Sequence, residues 1–217
     1  MRPIKTYACY SNNEEVRIKS SSGAVFSLIA EYVLSKNGVV YGVAMSDDCY
    51  SAKFISINKS SELDRLRGSK YLQAKVGDAY QKAKKDLLAG REVLFSGTGC
   101  QINGLKSFLG KEYVNLICID IICHGVPSPA LWKRYAMNHE NRYNTKLKSI
   151  NFRCKDFGWI GFGMKENQIY IPKEIDAYMQ MFLRNFCLRP SCYECAAKNV
   201  KLSDYTCLLY TSDAADE

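Results

Sequence analysis

Short apolar segments that end in a loop and a cysteine are the feature that most constrains the fold of this chain. Residues 93–95 form one such segment, and the loop 96–99 separates it from apolar residues at helical spacing. Residues 114–122, VNLICIDII, are a longer apolar run, typical of a strand buried on both faces of a parallel sheet. The repeated order of strand, loop and helix predicts an α/β fold, with a mixed or mostly parallel sheet core and flanking helices.

A smaller β-rich extension is predicted downstream of this core. From residue 147, the short apolar segments KSINFRC, WIGFGMK and QIYI are separated by glycine-containing or polar turns. This arrangement is typical of antiparallel strands. A helix predicted at 174–186 then leads into CLRPSCYEC.

Charge and hydropathy exclude two classes of protein. The net charge is +8, but many of the lysines fall on the polar face of a helix predicted at 77–89, and no dense basic stripe is present. We therefore expect no nucleic-acid partner. No apolar run approaches the roughly 18–20 residues that cross a bilayer, and residues 1–19 do not resemble a signal peptide. We expect a cytoplasmic protein without a membrane span.

Four of the ten cysteines lie where they can bind a metal centre. Cys100 begins the helix after the first apolar segment and Cys123 follows the second, so both are expected at the carboxyl edge of one sheet. Cys192 and Cys195 form a C-x-x-C pair, which suits zinc or an iron–sulfur cluster. A reducing cytosol favours such roles over disulfides. The other cysteines that we interpret mainly as small buried residues are Cys9, Cys49, Cys118, Cys154 and Cys187.

A serine-rich loop, 20–23, precedes a predicted helix and offers hydroxyl groups and glycine amides. Such a loop is either a set of N-cap residues or an anion site for a dinucleotide pyrophosphate. Four thiols do not by themselves distinguish zinc from a 4Fe-4S cluster. A phosphate-bearing cofactor next to a cluster would provide a short electron path, and this favours the cluster.

Several segments, in the same order, resemble one protein family. They are RIKSSSGAVF, LRGSKYLQA, VLFSGTGCQINGLKSFLG, DIICHGVPSPALWKRY, FRCKDFGW and CLRPSCYECAAKNVKLSD. This set is similar to the coenzyme F420 hydrogenase/dehydrogenase beta-subunit family, and the resemblance runs from about residue 6 to 206. It divides the chain into an N-terminal module at 6–90 and a C-terminal module at 91–206 that carries the cysteines.

The resemblance implies an oxidoreductase subunit that contains FAD and a 4Fe-4S cluster and exchanges electrons with the deazaflavin coenzyme F420 or a related acceptor. It implies Cys100, Cys123, Cys192 and Cys195 as the cluster ligands. In bacteria it also allows a role in polysaccharide biosynthesis with another acceptor. The residues implied as flavin contacts are Ser20, Ser21, Ser22, Gly23, Gly97, Thr98 and Gly99.

The chain also departs from the family pattern. Ala24 stands where the family usually has glycine, and Gly99 stands where it usually has proline. No two-cluster ferredoxin module is recognised, so we expect a separate redox partner, such as a ferredoxin or a hydrogenase or dehydrogenase subunit. Residues 207–217 do not follow the pattern and are interpreted as a non-native or artefactual tail, so Cys207 is not counted as a ligand.

Two other functions remain open from the sequence. One is an interaction module without enzymatic activity that zinc holds together. The other is an enzyme in which Cys100 is the nucleophile and His124 the base, although this leaves the C-x-x-C pair unexplained. The sequence identifies no residue that handles hydride, no physiological electron donor or acceptor, and no oligomeric state.

Overall fold

The computed structural model describes residues 5–208. Its helices are α1 (Glu14–Lys19), α2 (Val25–Ser35), α3 (Ala79–Leu88), α4 (Gly99–Leu109), α5 (Pro129–Tyr143), α6 (Ala177–Leu183) and α7 (Pro190–Tyr193). Its strands are β1 (Val39–Met45), β2 (Ala52–Ile57), β3 (Val93–Thr98), β4 (Leu116–Ile121), β5 (Ile150–Cys154), β6 (Gly163–Glu166), β7 (Ile169–Pro172) and β8 (Tyr205–Cys207). Short 3-10 helices cover Ser60–Arg65 and Ala196–Lys198. Over residues 5–208, no helix has the length and apolar character needed to cross a membrane.

The central sheet is mixed and has the strand order β2-β1-β3-β4-β8. β1, β3, β4 and β8 run parallel, whereas β2 returns antiparallel to β1. Consecutive residues of β1 point to opposite faces: Tyr41 joins the core beneath α3, α4 and α5, and Val40 joins the core beneath α2. Both faces are therefore covered, which confirms the predicted α/β class and explains the apolar runs in β3 and β4.

The β-rich extension is a three-stranded antiparallel sheet in the order β5-β6-β7. Phe152 of β5 and Met164 of β6 are fully buried in the same core as α5. Trp132 of α5 is also fully buried, and its indole N–H donates to the carbonyl oxygen of Cys49 at 2.7 Å. The extension therefore shares its apolar core with the main sheet.

Five short elements and one helix cap differ from the sequence expectation. The helices α1, α7 and Ala196–Lys198 and the strands β2 and β8 were not predicted, because each is short and stabilised mainly by tertiary contacts rather than by a long apolar pattern. The assignment of Ser20–Ser22 as N-caps of α2 was wrong. Ala24 occupies that position with a left-handed φ of 67°, and the serines belong to the link between α1 and α2. A left-handed φ is strained for alanine, which gives a physical reason for the glycine usual at this position.

Glu140 connects α5 to two neighbouring segments. Its buried carboxylate accepts hydrogen bonds from Lys146 Nζ at 2.8 Å, from Tyr50 Oη at 2.6 Å and from the Leu147 amide at 2.8 Å. These bonds, with Lys146 as the largest contributor, lower the pKa of Glu140 from its ordinary value of 4.5 to about 2. The ionised carboxylate therefore stabilises the folded state.

We expect acid to remove this stabilisation. Because the folded-state pKa of Glu140 lies below 4.5, its contribution is complete above pH 4.5 and is lost as the pH falls through about 2. Glu140→Gln should have a lower free energy of unfolding than wild type at pH 7. As the pH falls from 4.5 to about 2, the free energy of unfolding should decrease less in the variant than in wild type. Urea unfolding across this range measures the effect, with the exposed Glu14→Gln as the control. Parallel pH profiles for wild type and Glu140→Gln would contradict the prediction.

Candidate functional site

Cys100 lies in the first turn of α4, immediately after β3. Thr98 and Gln101 form a reciprocal capping box: the Gln101 side chain accepts from the Thr98 amide at 2.9 Å, and the Thr98 side chain accepts from the Gln101 amide. Thr98 Oγ1 also lies 3.2 Å from Cys100 Sγ. The predicted position at a helix start is confirmed. Cys100 is exposed, so its sulfur is accessible from solvent.

Cys123 lies two residues beyond the end of the adjacent strand, β4. β3 and β4 are parallel and pair from Val93 with Leu116 to Thr98 with Ile121, so both cysteines follow the carboxyl edge of the sheet. Burial raises the pKa of Cys123 to about 11, and the thiolates of Cys100, Cys192 and Cys195 add to this increase. Each of the other three predicted ligands is therefore near enough to Cys123 to affect its ionisation.

The C-x-x-C pair reaches this edge because its segment pairs with the loop after β4. The Arg189 amide donates to the Val126 carbonyl at 2.9 Å, and Pro127 forms an isolated antiparallel bridge with Leu188. Gly125, which directly precedes the paired residues of this loop, has a φ of 145°. A Cβ at this position would lie 2.8 Å from Leu188 Cδ1 and 3.4 Å from Cys192 Cβ. The glycine thus permits the close approach of the two loops.

A buried polar cluster holds the chain downstream of the pair. The carboxylate of Asp120, fully buried in β4, accepts from Lys201 Nζ at 2.6 Å and from Ser203 Oγ at 2.9 Å. Asp204 exchanges two hydrogen bonds with the backbone of Cys118, at 2.7 and 3.0 Å. These residues were not predicted as part of the site. The available signals were a carboxylate inside an apolar strand and the KLSD sequence.

The four thiols are a donor set that a 4Fe-4S cluster can use. Within residues 5–208, no group of three or more histidine, cysteine or acidic side chains is arranged to hold one ion. Tetrahedral zinc, with Zn–S bonds of about 2.3 Å, requires its sulfurs to lie about 3.8 Å apart. A 4Fe-4S cluster is larger and takes four thiolates that are farther apart. The four candidate cysteines match the number of thiolates that such a cluster takes.

The serine loop lines a cavity of about 320 Å³, which we call the Ser20 cavity. Ser20, Ser21 and Ser69 contribute to its wall, and the hydroxyls of Ser21 and Ser69 are hydrogen-bonded to each other at 2.8 Å. Met45, the last residue of β1, also lines the cavity, which places it at the carboxyl end of this parallel strand. Ser22 does not line the cavity, and Gly23 packs against the backbone of Cys9 and Tyr10.

The second predicted flavin loop, 97–99, is not part of the Ser20 cavity. A Cβ on Gly97 would meet Gln101 and Phe54 at 3.0 and 3.2 Å, so this position is closely packed. A Cβ on Gly99 would lie 2.9 Å from Asp120 Oδ2 and 3.3 Å from Ala197 Cβ. Ser20 and Ser21 thus line one cavity, whereas residues 97–99 lie next to Cys100, outside that cavity. The flavin role of all seven residues stays a prediction.

The arrangement around His124 gives no support to the nucleophile hypothesis. His124 Nε2 lies 3.3 Å from the Phe182 carbonyl oxygen, and the imidazole packs edge-on against the Phe182 ring. The hydrogen-bond neighbour of Cys100 Sγ is Thr98 Oγ1, at 3.2 Å, and not His124. Cys49, Cys118 and Cys154 are buried, as predicted, whereas Cys9 is exposed and Cys187 half-buried. Cys207 lies in β8 opposite Ile121, and residues 209–217 lie outside the described residues.

Comparison with solved structures shows a related fold. The F420-reducing NiFe hydrogenase complex from Methanosarcina barkeri, solved as a xenon derivative, contains a chain that matches with a TM-score of 0.58 and 14% sequence identity. The match covers 87% of this chain and 66% of that chain. No individually curated protein matches the sequence.

Family profiles match most of the chain in two blocks. Residues 6–80 match the N-terminal part of the coenzyme F420 hydrogenase/dehydrogenase beta subunit, and residues 90–215 match its C-terminal part. The two blocks follow the same order along the chain as the N-terminal and C-terminal modules expected from the family resemblance. This chain belongs to the coenzyme F420 hydrogenase/dehydrogenase beta-subunit family, a family of oxidoreductase subunits.

Proposed function

We propose that this chain is an iron–sulfur flavoprotein subunit that passes electrons between a 4Fe-4S cluster, FAD and coenzyme F420 or a related acceptor. The observation that carries the proposal is the convergence of four cysteines from two strand ends and one C-x-x-C segment at the carboxyl edge of the sheet. Cys100, Cys123, Cys192 and Cys195 are the proposed ligands. The cluster supplies single-electron transfer, and the flavin links it to two-electron chemistry.

The exposure of the site suits exchange with a separate redox protein. Cys100 is exposed, and the other three cysteines are half-buried. Large apolar side chains that neighbour these cysteines in sequence are also exposed, among them Ile121, Ile122 and Tyr193. Such a surface suits a transient partner, because apolar contacts can form around a redox centre near the surface. We propose a ferredoxin or a hydrogenase or dehydrogenase subunit as that partner.

The flavin is proposed to bind along the same sheet edge. β1 and β3 are parallel neighbours, and their carboxyl ends carry the Ser20 cavity and Cys100, respectively. The Ser21 and Ser69 hydroxyls, 2.8 Å apart, suit a phosphate group of an anionic cofactor, whereas the Ser20 hydroxyl and amide already donate to the carbonyls of Val16 and Arg17. If the protein acts in bacterial polysaccharide biosynthesis, the acceptor need not be the deazaflavin.

The first measurement is the absorbance spectrum of the full chain purified under anaerobic conditions, with iron, sulfide, zinc and flavin quantified on the same sample. We expect flavin bands over a broad thiolate–iron absorption, with iron and sulfide in equal amounts close to four per chain, the stoichiometry of a 4Fe-4S cluster. Stoichiometric zinc without either chromophore would instead support the zinc-bound interaction module. Flavin without iron or sulfide would contradict the assignment of the cysteines.

A further inference from the structure

The chain from the end of α6 to the C-x-x-C pair is an exposed segment beside two of the proposed cluster ligands. Residues 183–195 are exposed or half-buried along their whole length. Phe186 is 76% exposed, and Tyr193, which lies within the C-x-x-C pair, is 54% exposed. The Tyr193 hydroxyl donates to the carbonyl oxygen of Asn185, so this side chain ends beside the backbone of Phe186. Two neighbouring aromatic side chains in solvent are typical of a contact surface for another protein.

The backbone at the end of α6 holds Phe186 in a fixed position. Asn185 has a left-handed φ of 64°, and its amide donates to the Phe182 carbonyl oxygen at 3.1 Å. The Phe186 amide donates to the Met181 carbonyl oxygen at 2.9 Å. These two bonds form a Schellman motif, in which an apolar side chain at the position of Phe186 often packs against the preceding helix. Here the ring is mostly in solvent instead, and a rigid backbone that presents it reduces the entropy lost on binding a partner.

Three exposed cations accompany these rings. Arg184 and Arg189 flank Phe186 in sequence, and Lys198 follows the C-x-x-C pair. None of the three has a carboxylate within ion-pair distance in the described part of the chain, and Glu194 is the only acidic residue of the exposed segment. We call this set of residues the Phe186 surface: Arg184, Phe186, Arg189, Tyr193 and Lys198.

The charge of the Phe186 surface indicates the kind of partner that it fits. The surface combines an aromatic centre with unpaired positive charges, in a chain whose net charge is +8. An acidic protein face with an apolar centre is complementary to it. A second copy of this chain is not, because a symmetric contact would place the same cations opposite one another.

We propose that the Phe186 surface binds the acidic face of a redox protein, which thereby exchanges one electron with the centre at Cys192 and Cys195. The donor loses the electron that the acceptor gains, and no atom is transferred. Phe186 and Tyr193 supply the apolar contact, and the cations steer the partner towards it and set its orientation. The docking of an acidic protein rests on the charges and exposed rings of this surface, whereas the electron exchange rests on the proposed function.

Calorimetric titration of the full chain with an acidic two-cluster ferredoxin tests the docking, because it measures binding whether or not this chain holds a cluster. Wild type should bind, and its dissociation constant should rise about 10-fold or more from low to physiological ionic strength, since salt screens opposite charges. The double variant Arg184→Gln with Arg189→Gln should bind about 5- to 30-fold more weakly at low salt and depend less on salt. Phe186→Ser should weaken binding by a similar factor but keep the wild-type salt dependence, because apolar contacts are not screened.

A matched control separates this surface from the net charge of the chain. Lys59→Gln with Lys85→Gln removes two exposed positive charges at the amino edge of the sheet, away from the cysteines, and should bind as wild type does. Reduction kinetics give a second readout. Reduced ferredoxin should reduce the arginine variant more slowly than wild type, whereas reduced methyl viologen, a small cation, should reduce it at least as fast.

The outcomes distinguish the docking from the proposed function. Absence of ferredoxin binding to wild type overturns the docking, and if that protein contains iron and sulfide the proposed function stands. Wild-type affinity in both the arginine variant and Phe186→Ser also overturns the docking, as does an equal loss of affinity in the lysine control. Binding that depends on Phe186 and the two arginines in a protein without iron or sulfide supports the docking and contradicts the proposed function.

Discussion

Replacement of Cys192 by serine should remove most of the iron and sulfide from the purified protein, together with its thiolate–iron absorption. A serine hydroxyl is a much weaker ligand than a thiolate, and a 4Fe-4S cluster needs four strong ligands. The fold should survive, because backbone pairing at Leu188 and Arg189 and the cluster around Asp120 hold the segment independently of the thiol. Iron and sulfide analysis and visible absorbance of anaerobically purified variants measure the effect. Cys100→Ser, Cys123→Ser and Cys195→Ser should behave in the same way.

The matched control for this prediction is Cys187→Ser. Cys187 is half-buried, as Cys192 is, and lies five residues earlier in the same segment. The thiols of the three other proposed ligands are among the main causes of the raised pKa of Cys123, and that of Cys187 is not. Cys187→Ser should therefore retain wild-type iron. Equal iron loss in the two variants, or wild-type iron in Cys192→Ser, would refute the ligand assignment.

Replacement of Lys201 by methionine should lower the free energy of unfolding by about 3–5 kcal/mol, the usual cost of leaving a buried charge without its partner. Asp120 is fully buried, whereas the Lys201 side chain is 26% exposed. Without the lysine, the carboxylate retains the Ser203 hydroxyl alone among its side-chain partners described here. Urea denaturation of wild type and variant measures the difference. Iron content should fall as well, because the chain downstream of Cys195 loses one of its attachments to β4.

Two further variants test the physical cause of that loss. Lys198→Met removes an exposed lysine three residues away and should change stability little, since surface substitutions usually do. The double variant Asp120→Asn with Lys201→Met removes both charges, so it should be more stable than Lys201→Met alone. A double variant no more stable than the single one would show that the ion pair is not the source of the effect.

The architecture was largely predictable because its main elements have strong local patterns. The buried residues of β3 are all apolar, those of β4 are apolar except for Asp120, and the helices of the core have one apolar face. β2 was missed, although its side chains alternate between buried and more exposed positions, because the segment is short and contains polar residues. β8 has three residues, and its Ile122–Cys207 and Asp204–Cys118 hydrogen bonds depend on contacts far apart in sequence.

The candidate site was predictable only in part. Loop position and C-x-x-C spacing identified the four cysteines, since both are local properties of the sequence. The polar residues that position them were not identified, because Asp120 and Lys201 are 81 residues apart and their pairing is visible only in the folded chain. The same is true of the burial of Arg153 in β5, which depends on tertiary packing.

The sequence alone determined the α/β class, the antiparallel extension and the identity of the candidate thiol ligands, because hydrophobic periodicity and residue spacing act over a few residues. The tertiary structure decided which loops meet at the carboxyl edge of the sheet and which charges are buried there. Those features depend on chain reversals and on long-range pairing, such as that of Pro127 with Leu188. It also separated the two predicted flavin loops, since Ser20 and Ser21 line a cavity whose wall does not include residues 97–99.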